Sequence, residues 1–236
     1  FGTCDNLFAN CYKLNIDIGQ FNFSNATKIE QLCLNCKAIT TVSGLNAPKV
    51  TTASPNIFSG CTSLTTVGDV ILPNNPNAAG LFHSCTSLTT VGNVNISKSS
   101  RVDILYGCTN LQTIGYVDAS AATAGTTALF SGFSKLTSVG NIKLLAATDI
   151  SNTFKGCTSL TSIDGFACNN ATTGTDNIFA DIPKLTTLNR IELAKATSCT
   201  NLLSKCTDVT SIDFINLNSL STTGDLFNGA GKITTI

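Results

Sequence analysis

The chain has 236 residues, 14 Lys and Arg against 14 Asp and Glu, and only 12 % charged residues, so its net charge is zero. The sequence shows no basic stripe and no charged tail, so nucleic acid is not an expected partner. No apolar run reaches the roughly eighteen residues a membrane span requires.

The chain opens on Phe1-Gly2 with no methionine and no visible signal peptide, which reads as a processed or trimmed piece. From there one pattern recurs to the C-terminus. A small apolar key position falls at Cys11, Cys36, Cys61, Cys85, Cys108, Phe133, Cys157, Ile182, Cys206 and Ala230, at steps of 23 to 25 residues. Such steady spacing predicts a solenoid, in which each repeat stacks on the next. Other apolar columns run at fixed offsets. Three before the key stand Phe8, Cys33, Phe58, Phe82, Leu105, Phe130, Phe154, Phe179, Leu203 and Phe227. Leucine or isoleucine dominates three after it, Val or Ile six and nine after it, and a small or branched residue eleven after it. The sixth-position column breaks only at Asp17 and ends on Ile236. No repeat can bury these columns alone, so stability must come from its neighbours.

Within each repeat the elements follow in one order. Before the key, as in Asp149–Cys157 and Asp176–Ile182, apolar spacing near three and four predicts a short helical turn. Gly60, Gly107, Gly132, Gly156 and Gly229 stand just before the key and fit a left-handed stop, with Asn10 and Asn35 as substitutes. Seven and eight after the key, pairs such as Gly68-Asp69, Gly92-Asn93 and Asp164-Gly165 predict a second polar turn. Then Val94–Ile96, Ile142–Leu144 and Ile191–Leu193 alternate apolar and polar, as half-buried strands do. The expected fold class is an α/β solenoid of about ten repeats, each a short strand plus a short helical turn, with the strands stacked in one parallel sheet. No linker interrupts it, so residues 1–236 are expected to form one domain. No polar capping repeat closes either end, so further chain or another subunit is expected there.

Segments such as Phe58–Val67 (FSGCTSLTTV), Phe82–Val91 (FHSCTSLTTV) and Phe154–Ile163 (FKGCTSLTSI) closely resemble the BspA-type leucine-rich repeats of bacterial surface proteins. Ala147–Cys157 (ATDISNTFKGC) is also similar to the 25-residue repeats of mycoplasma surface lipoproteins. The resemblance implies extracellular multi-repeat proteins used for adhesion, and similar repeats occur in phage-borne proteins. It supplies no catalytic residues. This chain departs from the commoner pattern by a Gly-Asn type pair between two strand hydrophobics, which is expected to bulge the sheet face.

Seven of eleven cysteines lie in the key column, where Phe133, Ile182 and Ala230 replace them. Those apolar replacements argue for buried free thiols and against a disulfide framework. Cys4 and Cys199 are expected at half-buried helix positions. Cys33-Leu34-Asn35-Cys36 lacks the second pair a zinc site needs. His83, the sole histidine, stands at a position that is solvated in other repeats, and Asp164 and Asp213 read as turn residues. No catalytic constellation, metal site or cofactor is expected, and the chain is not expected to be an enzyme.

A solenoid presents ligands with the exposed face of its strands. The outward files lie eight and ten after the key, and most of their members are small and uncharged. Tyr116, Asp118, Lys143, Arg190, Glu192 and Phe214 stand out there as candidate ligand-binding residues. A file of hydroxyls five after the key, Thr41, Thr66 and Thr90 among them, is expected to bond to backbone. The expected function is an extracellular recognition or adhesion module at a cell surface or virion, binding a protein or glycan. The alternative is a structural part of a filament or phage tail fibre, a rigid spacer joined end to end with other copies.

Overall fold

The computed structural model describes residues 2–235, so the expectation for Ile236 lies outside the described residues. It divides into two compact units, Phe1–Ala119 and Ser120–Ile236. Each is a parallel-strand β-solenoid of stacked coils.

In the first unit the strands are β1 (Thr41–Asn46), β2 (Thr66–Ile71), β3 (Thr90–Val91), β4 (Val94–Asn95), β5 (Thr113–Ile114) and β6 (Val117–Asp118). All pair parallel and in register with the repeat: Thr41 faces Thr66, Thr66 faces Thr90, and Thr90 faces Thr113. The first repeat has no such strand. In its place stands a 3-10 turn, Ile18–Gln20, whose Gly19 N–H donates to Asp17 Oδ1 at 2.9 Å. This explains the break in the apolar column, because Asp17 also accepts the N–H of Ser43 at 2.8 Å. Burial pulls the Asp17 carboxyl upward. The Ser43 N–H and hydroxyl and the Gly19 N–H outweigh it and hold the group below its ordinary value.

In the second unit β7 (Ser138–Lys143), β8 (Ser162–Ala167), β9 (Thr187–Glu192) and β11 (Ser211–Asn216) pair parallel in that order. A second short pairing joins β10 (Ser198–Thr200) to β12 (Thr222–Gly224).

The apolar columns form the core of both units. The key column is buried at eight of its ten members, Cys11 being exposed and Phe133 half-buried. Aromatic rings stack from coil to coil. Phe58 lies 5.8 Å from Phe82 with planes 5° apart, and Phe154 lies between Phe130 at 5.0 Å and Phe179 at 5.5 Å. The described cysteines are all free, and all except Cys11 are buried. The key thiols have a second duty. Cys61 Sγ donates to the Cys33 carbonyl at 3.1 Å, Cys85 to Phe58 at 3.1 Å, and Cys108 to Phe82 at 3.0 Å. In the second unit Cys157 and Cys206 repeat the contact to Phe130 and Phe179. A thiol thus satisfies a buried carbonyl of the preceding coil while filling a small apolar slot.

The expected helical turns are absent, and no α-helix occurs among the described residues. All ten residues just before the key have positive φ, between 58° and 84°. Nine of the residues four positions earlier do too, among them Asn6, Gln31, Asn56, Ala128 and Asn152. A left-handed residue at every fourth position breaks a right-handed helix into consecutive tight turns. The hydrogen bonds alternate accordingly. Leu34 N–H stays in its own turn and bonds to Gln31 O at 3.0 Å, whereas Cys33 N–H reaches Ile57 O in the next coil at 2.8 Å. Four-residue turns also bury every third or fourth side chain, which is why the spacing imitated a helix. Cys4 and Cys199 are fully buried, not half-buried on helices, and Cys199 lies in β10.

The second polar turn is also absent. Gly68-Asp69 lies inside β2, and Asp164 and Asp213 are exposed residues inside β8 and β11. Register runs Val42 with Val67, then Gly44 with Asp69, passing over Ser43 and Gly68. Both strands alike place two successive residues between buried positions, so the expected bulge, two residues against one, does not occur and the strands kink in step. The hydroxyls that bond to backbone stand one residue earlier than expected, four after the key: Thr65 Oγ1 donates to Thr40 O at 2.9 Å and Thr89 Oγ1 to Thr65 O at 3.0 Å.

Candidate functional site

The paired kink of the strands builds the outward face. Seven after the key the strands approach closely, and a Cβ on Gly68 would lie 2.0 Å from the Ser43 carbonyl oxygen. Eight after the key the kink leaves backbone N–H groups without a strand partner, and side chains take them up. Asp69 Oδ1 accepts Asn93 N–H at 2.8 Å, and Asn93 Oδ1 accepts Tyr116 N–H at 3.0 Å. In the first unit this file is thus committed to structure.

Tyr116 ends that ladder. Its hydroxyl donates to Asp118 Oδ2 at 2.5 Å. Burial, then this bond and the Asp118 charge, push the phenol above its ordinary value, so it keeps its proton as a donor. The two predicted residues of the first unit are occupied with each other.

The second unit is different. Arg190 and Phe214 face each other across β9 and β11, and the guanidinium lies 4.2 Å from the ring centroid. Arg190 Nε also pairs with Glu192, two residues along the strand. On β8 the corresponding positions carry only Gly165 and Ala167, which face Asn141 and Lys143 on β7. A side chain at Gly165 would strike Asn141 Oδ1, 2.7 Å from an added Cβ. The Asn141 side chain lies over Gly165, whereas Ala167, small between Lys143 and Glu192, floors a cleft of about 200 Å³. Lys143, Arg190, Glu192, Asn141 and Asn169 line it, with Phe166 and Ala167 at its base. Asn169 Oδ1 is buried and has no hydrogen-bond partner. The structure therefore brings Lys143, Arg190 and Glu192 to one cleft, with Phe214 supporting Arg190. Tyr116 and Asp118 belong to the first unit. Asn169 was missed from sequence, where nothing separates it from other turn asparagines; Ala167, small where its strand neighbours Lys143 and Glu192 are large, was a readable signal.

Lys143 and Arg190 bring two cations to the cleft and Glu192 one carboxylate, which is paired with Arg190. Its volume is below the roughly 300 Å³ at which ligand pockets begin, so it can hold one protruding group of a larger surface. His83 is half-buried, with Nε2 2.6 Å from Asp103 O and its ring edge-on to Tyr106, so it is not a solvated loop residue. Among the described residues no group of three or more His, Cys, Asp or Glu could hold a metal ion. Among them, too, no helix is long and apolar enough to cross a membrane.

A protein-family profile described as "Mycoplasma protein of unknown function, DUF285" matches residues 2–71. No curated protein matches the chain. Among solved structures the chain is similar to a leucine-rich repeat protein from Bacteroides ovatus, at 14 % identity and a TM-score of 0.28, covering 95 % of this chain and 79 % of that one. With a TM-score that low, the coil geometry described above is what supports a leucine-rich-repeat-like solenoid.

Proposed function

We propose that the chain is an extracellular recognition module that binds a protein or glycan on a cell surface through its outward strand face. The supporting observation is the cleft over Ala167, where Lys143, Arg190, Glu192 and a partnerless Asn169 oxygen converge. A small polar recess on hydrogen-bonded strands holds these groups in fixed geometry, which lowers the ordering cost of binding. The ligand group that suits it carries an anionic or acceptor atom for Lys143 and Arg190 and a donor for Asn169.

The test is binding of the labelled chain to intact bacterial and host cells and to a glycan array. The double variant Lys143→Ala with Arg190→Ala should weaken binding at least about tenfold, the usual loss for a desolvated charged contact. A chain that binds no cell and no glycan, and assembles end to end in solution, would overturn this reading in favour of a rigid spacer.

A further inference from the structure

The first unit holds a second recess, formed where the first repeat departs from the rest. Asp17 replaces the apolar residue, and the 3-10 turn Ile18–Gln20 runs where other coils have a strand. The outward side of β1 and β2 is left open beside it, in a cleft of about 390 Å³. That lies at the small end of the roughly 300–1,000 Å³ found for ligand clefts. Glycines bring its walls close to backbone: a Cβ on Gly19 would meet Ser43 Oγ at 2.3 Å and Gly44 O at 2.7 Å.

Its lining has one consistent chemistry. Phe21 is 41 % exposed, yet its ring is held by Phe8 at 5.7 Å and Phe23 at 6.3 Å. It is an open aromatic surface on an anchored ring. Around it stand Asn22, Ser24, Asn46 and Asp69. The Asn46 side chain has no hydrogen-bond partner among the described residues. Asp69 gives Oδ1 to Asn93 N–H, which leaves Oδ2 for a ligand. Asn22 Oδ1 accepts Ser24 N–H at 3.0 Å, which leaves its amide N–H₂ as a donor. No Lys, Arg or His lines the recess.

From this we infer that the first-unit cleft is a binding site for a neutral pyranose sugar. The apolar C–H face of such a ring covers Phe21, as apolar surface leaving water prefers. Adjacent hydroxyls donate to Asp69 Oδ2 and Asn46 Oδ1 and accept from the two amides. An anionic sugar meets the Asp69 charge with no cation to offset it, which selects the neutral class. This site shares no residue with the second-unit cleft and does not depend on the function proposed for that cleft.

The experiment is ligand-observed saturation-transfer NMR on the whole chain, with backbone amide shifts read in parallel. The probes are the methyl glycosides of glucose, galactose and mannose, with glucuronate and N-acetyl-lysine amide for comparison. At least one neutral glycoside should bind at millimolar concentration, shift the amides of Asn46 and Asp69, and bind more tightly than glucuronate. Phe21→Ala should weaken it at least about tenfold. Asn46→Ala, at an exposed position, should weaken it several-fold and tests the site even if Phe21→Ala disturbs folding. Arg190→Ala should leave sugar binding unchanged while weakening cell binding, so the two sites can fail separately. The inference is overturned if no neutral glycoside shifts those amides. Tighter binding of the lysine amide, or unaltered sugar binding by both first-unit variants, would overturn it too.

Discussion

Gly68→Ala isolates the close approach at the strand kink. Gly68 sits in β2 at ordinary strand φ, so alanine carries no backbone penalty there. The cost is steric. The new Cβ would lie 2.0 Å from the Ser43 carbonyl oxygen and 2.8 Å from its carbon, where ordinary contact begins near 3.4 Å. Both atoms are backbone, so no side chain can swing aside, and β1 and β2 must part by about 1.4 Å. Overpacking of this kind costs about 1–3 kcal/mol, and each β1–β2 hydrogen bond lost adds about 1 kcal/mol. We expect about 3–4 kcal/mol in the first unit, a fall of about 1.5–2 M in urea midpoint at a slope of about 2 kcal/mol/M. Gly60→Ala is the comparison. Its Cβ meets the movable Asn35 Oδ1, and its φ of +74° costs about 1–2 kcal/mol. Gly231→Ala, with nothing within 4 Å, should be neutral. Urea titration by circular dichroism, with hydrogen exchange on β1 and β2, reads all three. If Gly68→Ala stays within about 0.5 kcal/mol of the parent chain, or is milder than Gly60→Ala, the close-approach reasoning fails.

Phe154→Ala should cost about 3–5 kcal/mol, because it empties the space between two stacked rings, and Phe154→Leu should restore more than half of it in the same titration. A thiol reagent at pH 8 should modify one cysteine quickly in the native chain, Cys11, and eleven once the chain is denatured. Burial protects the others and pushes Cys61, Cys108, Cys157 and Cys206 up to about 12. Two or more fast native thiols would contradict the burial pattern. Asp17, whose carboxyl is held low when folded, adds stability that is present above its unfolded value of about 3.9 and lost as pH falls through its folded value. Asp17→Asn should therefore lower the melting temperature at pH 7 and lessen the loss seen below about pH 4. An unchanged acid slope would remove Asp17 from that account.

The spacing of Cys61, Cys85 and Cys108 already implied that they share one buried file, because a constant repeat length is a property of the chain itself. Glycine and asparagine before the key likewise announced positive φ, and Ser84, Asp181 and Lys205 adopt the same conformation without announcing it. The hydrogen-bond partners were not legible. An apolar period of three to four serves a helix and a run of tight turns equally. What separates them is whether Cys33 N–H bonds within its own coil or to Ile57 of the next. Gly68-Asp69 spells a turn, and only the strand alongside shows that its glycine makes room for Ser43.

The candidate residues divide in the same way. Arg190, Glu192 and Lys143 could be named because charge is scarce on the strand files. Their convergence depends on what stands between them, Ala167, and on the register that sets β7, β8 and β9 side by side. Periodicity along the chain thus determined the coils, their columns and their buried thiols, since stacking like on like needs only equal repeat lengths. Tertiary structure alone decided the turns, the strand kink and the two clefts, since each arises from contacts between residues some 24 positions apart, whose fit no single repeat encodes.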